Sequence, residues 1–209
     1  MQIAFLLFDG ITPLDAVGPF EVLGKLPGAD VRMVGKHKGE VRTKGQSLAM
    51  IADYALAEIP TPDILVVPGG PGADPSAEDK EITDWVARVH ETTTWTTSVC
   101  TGALILGGAG VLKGLKATTH WRAMEDLKAF GAEPVDQRVV RQGKVITAAG
   151  VSSGIDMALT LAAEIAGEDI AKAIQLGIEY APEPPFDAGH FRDAPSARIE
   201  MVRSGLNRP

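Results

Sequence analysis

The chain has 209 residues, 45% hydrophobic and 22% charged, with 27 Asp and Glu against 20 Lys and Arg for a net charge of −7. That length suits one well-buried domain and is short for two. The acidic balance supplies no basic face and argues against a nucleic-acid partner. A single cysteine, Cys100, excludes an intramolecular disulfide and a multi-thiolate metal site.

The apolar run 3–8 is too short for a membrane span and has no basic segment before it. It reads as a fully buried first strand of a cytoplasmic protein with no membrane partner. Further buried strands are expected at 31–35, 64–67, 94–98 and 145–148. Between them lie helical patterns. Residues 13–23 start with Pro13 in the first turn and carry Leu14, Val17, Phe20, Val22 and Leu23 as a face for a sheet. Residues 78–91 place Ile82, Trp85, Val86 and Val89 at helical spacing, and 101–109 follow Cys100. Residues 121–130 end at Gly131, a C-cap signal, and 152–166 and 168–178 are the last two helices. Residues 135–141 and 144–147, split by Gln142-Gly143, predict an antiparallel hairpin. Pro182-Glu183-Pro184-Pro185 ends regular structure, and a frayed tail is expected at 204–209.

Alternating strands and helices imply right-handed βαβ units. The expected fold class is α/β: a three-layer sandwich with a mostly parallel sheet and helices on both faces. One domain spans 1–209, with a core of about 1–185 and a C-terminal segment 186–209.

Ligands of such sheets gather outside the carboxyl ends of the strands, where three loops are chemically loaded. Ser98-Val99-Cys100-Thr101-Gly102 has the spacing of a nucleophile elbow, with a strand leading in and a helix leading out. A helix N-terminus beside the sulfur would favour the thiolate. The competing reading of Cys100 is a small core hydrophobe. Pro68-Gly69-Gly70-Pro71-Gly72 lacks the Gly-Lys-Ser/Thr ending of a phosphate loop. Its glycines either turn backbone N–H groups toward developing negative charge or simply allow a tight turn. Asp15 is either a first-turn dipole partner or a carboxyl facing Cys100 in a dry pocket, where burial would raise its pKa. Of four histidines, His37 and His90 read as surface residues and His190 lies in a C-terminal loop. His120, in Ala117-Thr118-Thr119-His120-Trp121, is the one placed near the site. No residue spacing suggests a metal.

Phe5-Leu6-Leu7-Phe8, the segment from Leu14-Asp15 to Val22, Val67-Pro68-Gly69-Gly70 and Ser98-Val99-Cys100-Thr101-Gly102 together resemble the ThiJ/PfpI superfamily of class I glutamine amidotransferase-like folds. Within it, Ala117-Thr118-Thr119-His120-Trp121, Gly150-Val151-Ser152-Ser153-Gly154-Ile155-Asp156 and the segment from Gln175 to Phe186 resemble isonitrile hydratases. The resemblance implies a flavodoxin-like sandwich, a homodimer, no cofactor and a small-molecule isonitrile substrate. It implies that Cys100 attacks the terminal carbon to form a thioimidate, which water releases as an N-substituted formamide. Asp15 matches the acid that exchanges protons with the cysteine and the reacting carbon. Thr101 matches the hydroxyl residue after it, and Gly69, Gly70 and the Thr101 N–H match oxyanion-binding positions, with His120 beside them.

The chain also departs from family patterns. The proteases of this fold place a histidine base directly after the cysteine, where this chain has Thr101. Without it, amide hydrolysis by a Cys-His couple is disfavoured. Asp replaces the Glu of the deglycase-like branch at position 15, which shifts the carboxyl by about a bond length. Two alternatives stand beside the hydratase. One is a ligand-sensing domain related to transcription regulators but lacking their DNA-binding module. The other is a cysteine-based deglycase or redox stress protein.

Overall fold

The computed structural model describes residues 1–45 and 47–205. They fall into two compact units, Met1–Ile178 and a second that begins at Glu179. The first unit opens with β1 (Gln2–Leu7), α1 (Pro13–Leu23) and β2 (Asp30–Gly35), then a hairpin of β3 (Gly39–Arg42) and β4 (Ala49–Ala52), and a two-residue β5 (Tyr54–Ala55). Next come β6 (Ile64–Val67), α2 (Ala73–Glu78), α3 (Lys80–Thr92), β7 (Trp95–Val99) and α4 (Gly102–Gly108). The unit closes with the short pair β8 (Lys116–Ala117) and β9 (Glu133–Pro134), the hairpin β10 (Val139–Gln142) and β11 (Val145–Ala148), α5 (Ser153–Ala166) and α6 (Glu168–Gly177).

The seven-stranded main sheet runs β10-β11-β7-β6-β1-β2-β5, and only β10 is antiparallel to its neighbour. The expected mostly parallel sheet with helices on both faces is therefore present. Helices α1, α5 and α6 pack together on one side and α2, α3 and α4 on the other. Ile64, Leu65, Val66 and Val67 of β6 are completely buried, which is why that strand is a continuous apolar run rather than an alternating one. Among the described residues no helix is long and apolar enough to cross a membrane.

Several expectations are corrected. In α1 the packed face is Asp15, Ala16, Gly18, Pro19, Val22 and Leu23, while Leu14 and Val17 are 42% and 40% exposed. The cause is close approach: a Cβ on Gly18 would lie 3.0 Å from Ile155 Cγ1, so small residues mark the contact with α5 and the larger side chains turn outward. Residues 121–130 form two 3₁₀ turns, Trp121–Ala123 and Asp126–Phe130, although Gly131 does end the second one in the left-handed region (φ 75°). The first hairpin strand begins at Val139 rather than 135. Only Val34 and Gly35 of β2 are fully buried, because its outer neighbour β5 is just two residues long. His90 is half-buried and bonds Thr96 Oγ1 through Nδ1 at 2.8 Å. In the second unit, regular structure resumes after the prolines as a 3₁₀ turn and α7 (Ser196–Arg203); of the expected frayed tail, 206–209 lie outside the described residues.

The connection that matters most is the crossing of the β6 and β7 carboxyl ends. A Cβ on Gly102 would lie 2.1 Å from the Val67 carbonyl oxygen and 2.6 Å from that of Pro68. Both obstacles are backbone, so the clash cannot be relieved by a rotamer change. Gly102→Ala is expected to destabilise the fold by about 3 kcal/mol or more, read from the urea unfolding midpoint. A loss under about 1 kcal/mol would mean that the two strand ends are free to part.

Candidate active site

Cys100 stands where β7 ends and α4 begins, with φ at 55°. A non-glycine residue there costs about 1–2 kcal/mol, so the neighbourhood must hold it. Both backbone groups are engaged. The Cys100 N–H donates to the Ala149 carbonyl at 2.8 Å and shares the Ala148 carbonyl at 3.1 Å, and the Cys100 carbonyl accepts from Thr119 Oγ1 at 2.7 Å. The strained turn is thus pinned to the loop after β11 on one side and to the segment before His120 on the other.

Two side chains and a glycine loop meet at the sulfur. Asp15, from the first turn of α1, has no exposed surface and accepts the Gly69 N–H at Oδ2 (3.0 Å). Its Oδ1 has no hydrogen-bond partner, and the Cys100 thiol is the titratable side chain close enough to shift this carboxyl. Thr101 Oγ1 accepts the Gly70 N–H at 2.8 Å and donates its one proton to the Gly70 carbonyl at 3.0 Å, which leaves the Thr101 N–H as the group turned to the sulfur. The glycines are required by space: a Cβ on Gly69 would lie 2.5 Å from the Thr101 nitrogen, and Gly70 has φ 138°.

This geometry separates the readings left open above. Asp15 is the buried carboxyl beside Cys100, and burial raises its pKa from 3.8 to about 7 against the opposing Gly69 and Cys100 hydrogen bonds. Of the two readings of the glycine loop, free N–H groups turned toward developing charge are not what the structure has. Gly69 is spent on Asp15 and Gly70 on Thr101. The expected thiolate is also corrected. Burial, then the Asp15 carboxylate, push the Cys100 thiol up to about 12, and the Thr101 N–H only partly opposes them. A seven-residue helix offers too weak a dipole to offset a desolvated charge. The resting pair is a protonated thiol beside a carboxyl that changes charge near neutrality.

Cys100, Thr101, Gly70 and His120 wall a cavity of about 440 Å³ whose exposed margin carries Lys44, Asp74, Arg122 and Asp126. Asp15 is fully buried beside Cys100 and does not itself line that wall. The structure therefore brings Cys100, Asp15, Thr101, Gly69, Gly70 and His120 together. Sequence reasoning missed the four charged residues at the margin, which come from the turn at Lys44, the start of α2 and the two 3₁₀ turns and carry no motif. It also missed Thr119 and Ala149 as braces, although Thr119 belongs to a quoted motif and Ala149 adjoins one. Among the described residues no group of three or more His, Cys, Asp or Glu can hold a metal.

Residues 1–164 match the model of the DJ-1/PfpI family. The chain is 44% identical over 203 residues to an isonitrile hydratase of Pseudomonas putida, covering 97% of this chain and 89% of the relative. A deglycase of Thermococcus kodakarensis is 29% identical over 149 residues, covering 70% of this chain and 89% of its own. The crystal structure of a ThiJ/PfpI family protein from Pseudomonas syringae superposes with a TM-score of 0.92 at 39% identity, over 98% of this chain and 85% of that one. The nucleophile elbow, the glycine loop crossing it and the matched 164 residues together make this chain a member of the DJ-1/PfpI family.

Proposed function

We propose that the protein is an isonitrile hydratase, a cofactor-free lyase acting through Cys100. The observation that carries the reading is the buried Asp15–Cys100 pair at the floor of a small cavity, and the 44% identity to the Pseudomonas putida isonitrile hydratase supports the substrate class. In this reaction Asp15 accepts the thiol proton as the sulfur bonds the terminal isonitrile carbon, and the same proton is delivered to that carbon to give R–N=CH–S–Cys100. Water then adds its hydroxyl to the carbon and a proton to the nitrogen. Breakage of the C–S bond releases R–NH–CHO, and the sulfur recovers a proton from the hydroxyl. Thr101 steadies the sulfur and fixes Gly70, while Gly69 orients Asp15. The reading includes one domain over the whole chain and a homodimer in the cytoplasm. Sedimentation at twice 22.0 kDa is the expected behaviour.

A redox-sensor role is disfavoured because such cysteines rest as thiolates, whereas this thiol is held protonated. Mild peroxide at neutral pH is accordingly expected to leave Cys100 unmodified by mass spectrometry. Selective sulfinate formation there would favour the sensor.

Purified protein is expected to convert cyclohexyl isocyanide to N-cyclohexylformamide, followed by absorbance or NMR, and Cys100→Ala is expected to abolish turnover. An inert wild type across a modest panel of alkyl and aryl isonitriles would overturn the reading. Because the carboxylate is the proton acceptor, kcat/KM should rise with pH through about 7, and Asp15→Asn should lose that limb and about 10²-fold or more in rate.

The same group sets a stability signature. A carboxyl raised from 3.8 to about 7 contributes stability that is complete below pH 4 and lost as pH rises to 7, at most about 4 kcal/mol. Asp15→Asn has no such loss. The unfolding free energy of the variant minus that of the wild type should therefore climb between pH 4 and 7 and then level off. A flat difference would place Asp15 in contact with water instead.

A further inference from the structure

We propose that His120 is the hydrogen-bond donor that holds the substrate nitrogen, through its Nε2–H, while water adds to the Cys100 thioimidate. This assignment rests on the hydratase reading above and adds to it an atom and a step. The backbone carries the argument first. The carbonyl of Cys100 is bonded by Thr119 Oγ1, and its N–H bonds the Ala149 carbonyl. The residues that follow these two braces, His120 and Gly150, touch each other: a Cβ on Gly150 would lie 3.1 Å from His120 Cδ2 and 3.9 Å from Nε2. The imidazole is therefore seated by two short tethers from the strained residue that carries the sulfur, and it walls the same cavity.

The ring's protonation follows from its partners. The Arg122 N–H donates to His120 Nδ1 at 3.3 Å, which makes Nδ1 the acceptor and places the proton of a neutral ring on Nε2. Burial, then the nearby Arg122 charge, keep the ring neutral by lowering its pKa. Nε2 has no partner among the described residues, so its N–H is available to a molecule in the cavity. Of the three N–H groups that match oxyanion-binding positions, that of Gly69 holds Asp15, that of Gly70 holds Thr101, and that of Thr101 faces the sulfur rather than the substrate nitrogen.

The second half-reaction needs a donor of this kind. As the water oxygen bonds the thioimidate carbon, the C=N electron pair moves onto nitrogen, where negative charge develops until the second water proton arrives. A fixed neutral donor stabilises that charge without itself losing a proton. The first half-reaction places its demand on sulfur and carbon, which Asp15 serves. His120 is therefore expected to affect loss of the covalent adduct far more than its formation.

The test is single-turnover reaction with cyclohexyl isocyanide, following the Cys100 adduct by intact mass and the formamide by NMR. In His120→Ala the adduct should form within about threefold of the wild-type rate and decay about 10²-fold more slowly, so that it accumulates. His120→Gln, which keeps an amide N–H at similar reach and supplies a second variant if alanine perturbs the fold, should recover at least about tenfold of that loss. Wild-type adduct decay in both variants overturns the assignment, as does loss of adduct formation in variants whose circular dichroism is unchanged. A wild type that forms neither adduct nor formamide overturns the hydratase reading and this step with it. Wild-type turnover with unaffected variants overturns this step alone.

Discussion

The site depends on one steric fact: two strand ends approach so closely that neither can carry a side chain at the contact. Gly69 lies against the Thr101 nitrogen and hydroxyl, and Gly102 lies against the carbonyls of Val67 and Pro68. From that crossing follow the hydrogen bonds of Gly69 to Asp15 and of Gly70 to Thr101. The glycine loop acts as a clamp on the two side chains that serve the sulfur. It does not act as a free anion cradle, because a donor bonded to a protein acceptor has no second proton to give.

The second consequence is electrostatic. Asp15 and Cys100 are both withdrawn from water, and each finds too few donors to support its charged form. Desolvation wins over every compensating hydrogen bond, so both pKa values rise and the pair retains a proton. A family member built to react with oxidants needs the thiolate at rest. One built to add S–H across a carbon needs the proton kept close to the sulfur, and this arrangement does that. The cost of strain at Cys100 is carried by Ala149 and Thr119, which also set the position of the cavity wall.

Much of this was legible in the residues. The apolar runs of β1 and β6 announced buried parallel strands because a strand covered on both faces needs no polar side. The Ser-x-Cys-x-Gly spacing announced the elbow because only small residues permit that turn. Helix α1 was legible as a helix but misread in its facing, since Leu14 and Val17 are larger than the Ala16 and Gly18 that make the contact. Periodicity counts hydrophobic residues and is blind to how closely a partner helix approaches. The 121–130 segment failed similarly, because its composition suits an α-helix while its ends are tied to the elbow and to β9.

Sequence alone determined the sheet's parallel character, the elbow and its cysteine, because these follow from local composition and short spacing; Asp15 was one of two readings there, and Thr101 entered through the family resemblance. Tertiary structure alone decided that Asp15 is buried beside the sulfur with no exposed surface, that the glycine N–H groups are spent, and that the thiol rests protonated. Those properties are set by burial and by contacts between segments as far apart as Asp15 and Gly69, or Cys100 and Ala149. No spacing within a single segment encodes the dielectric that surrounds it.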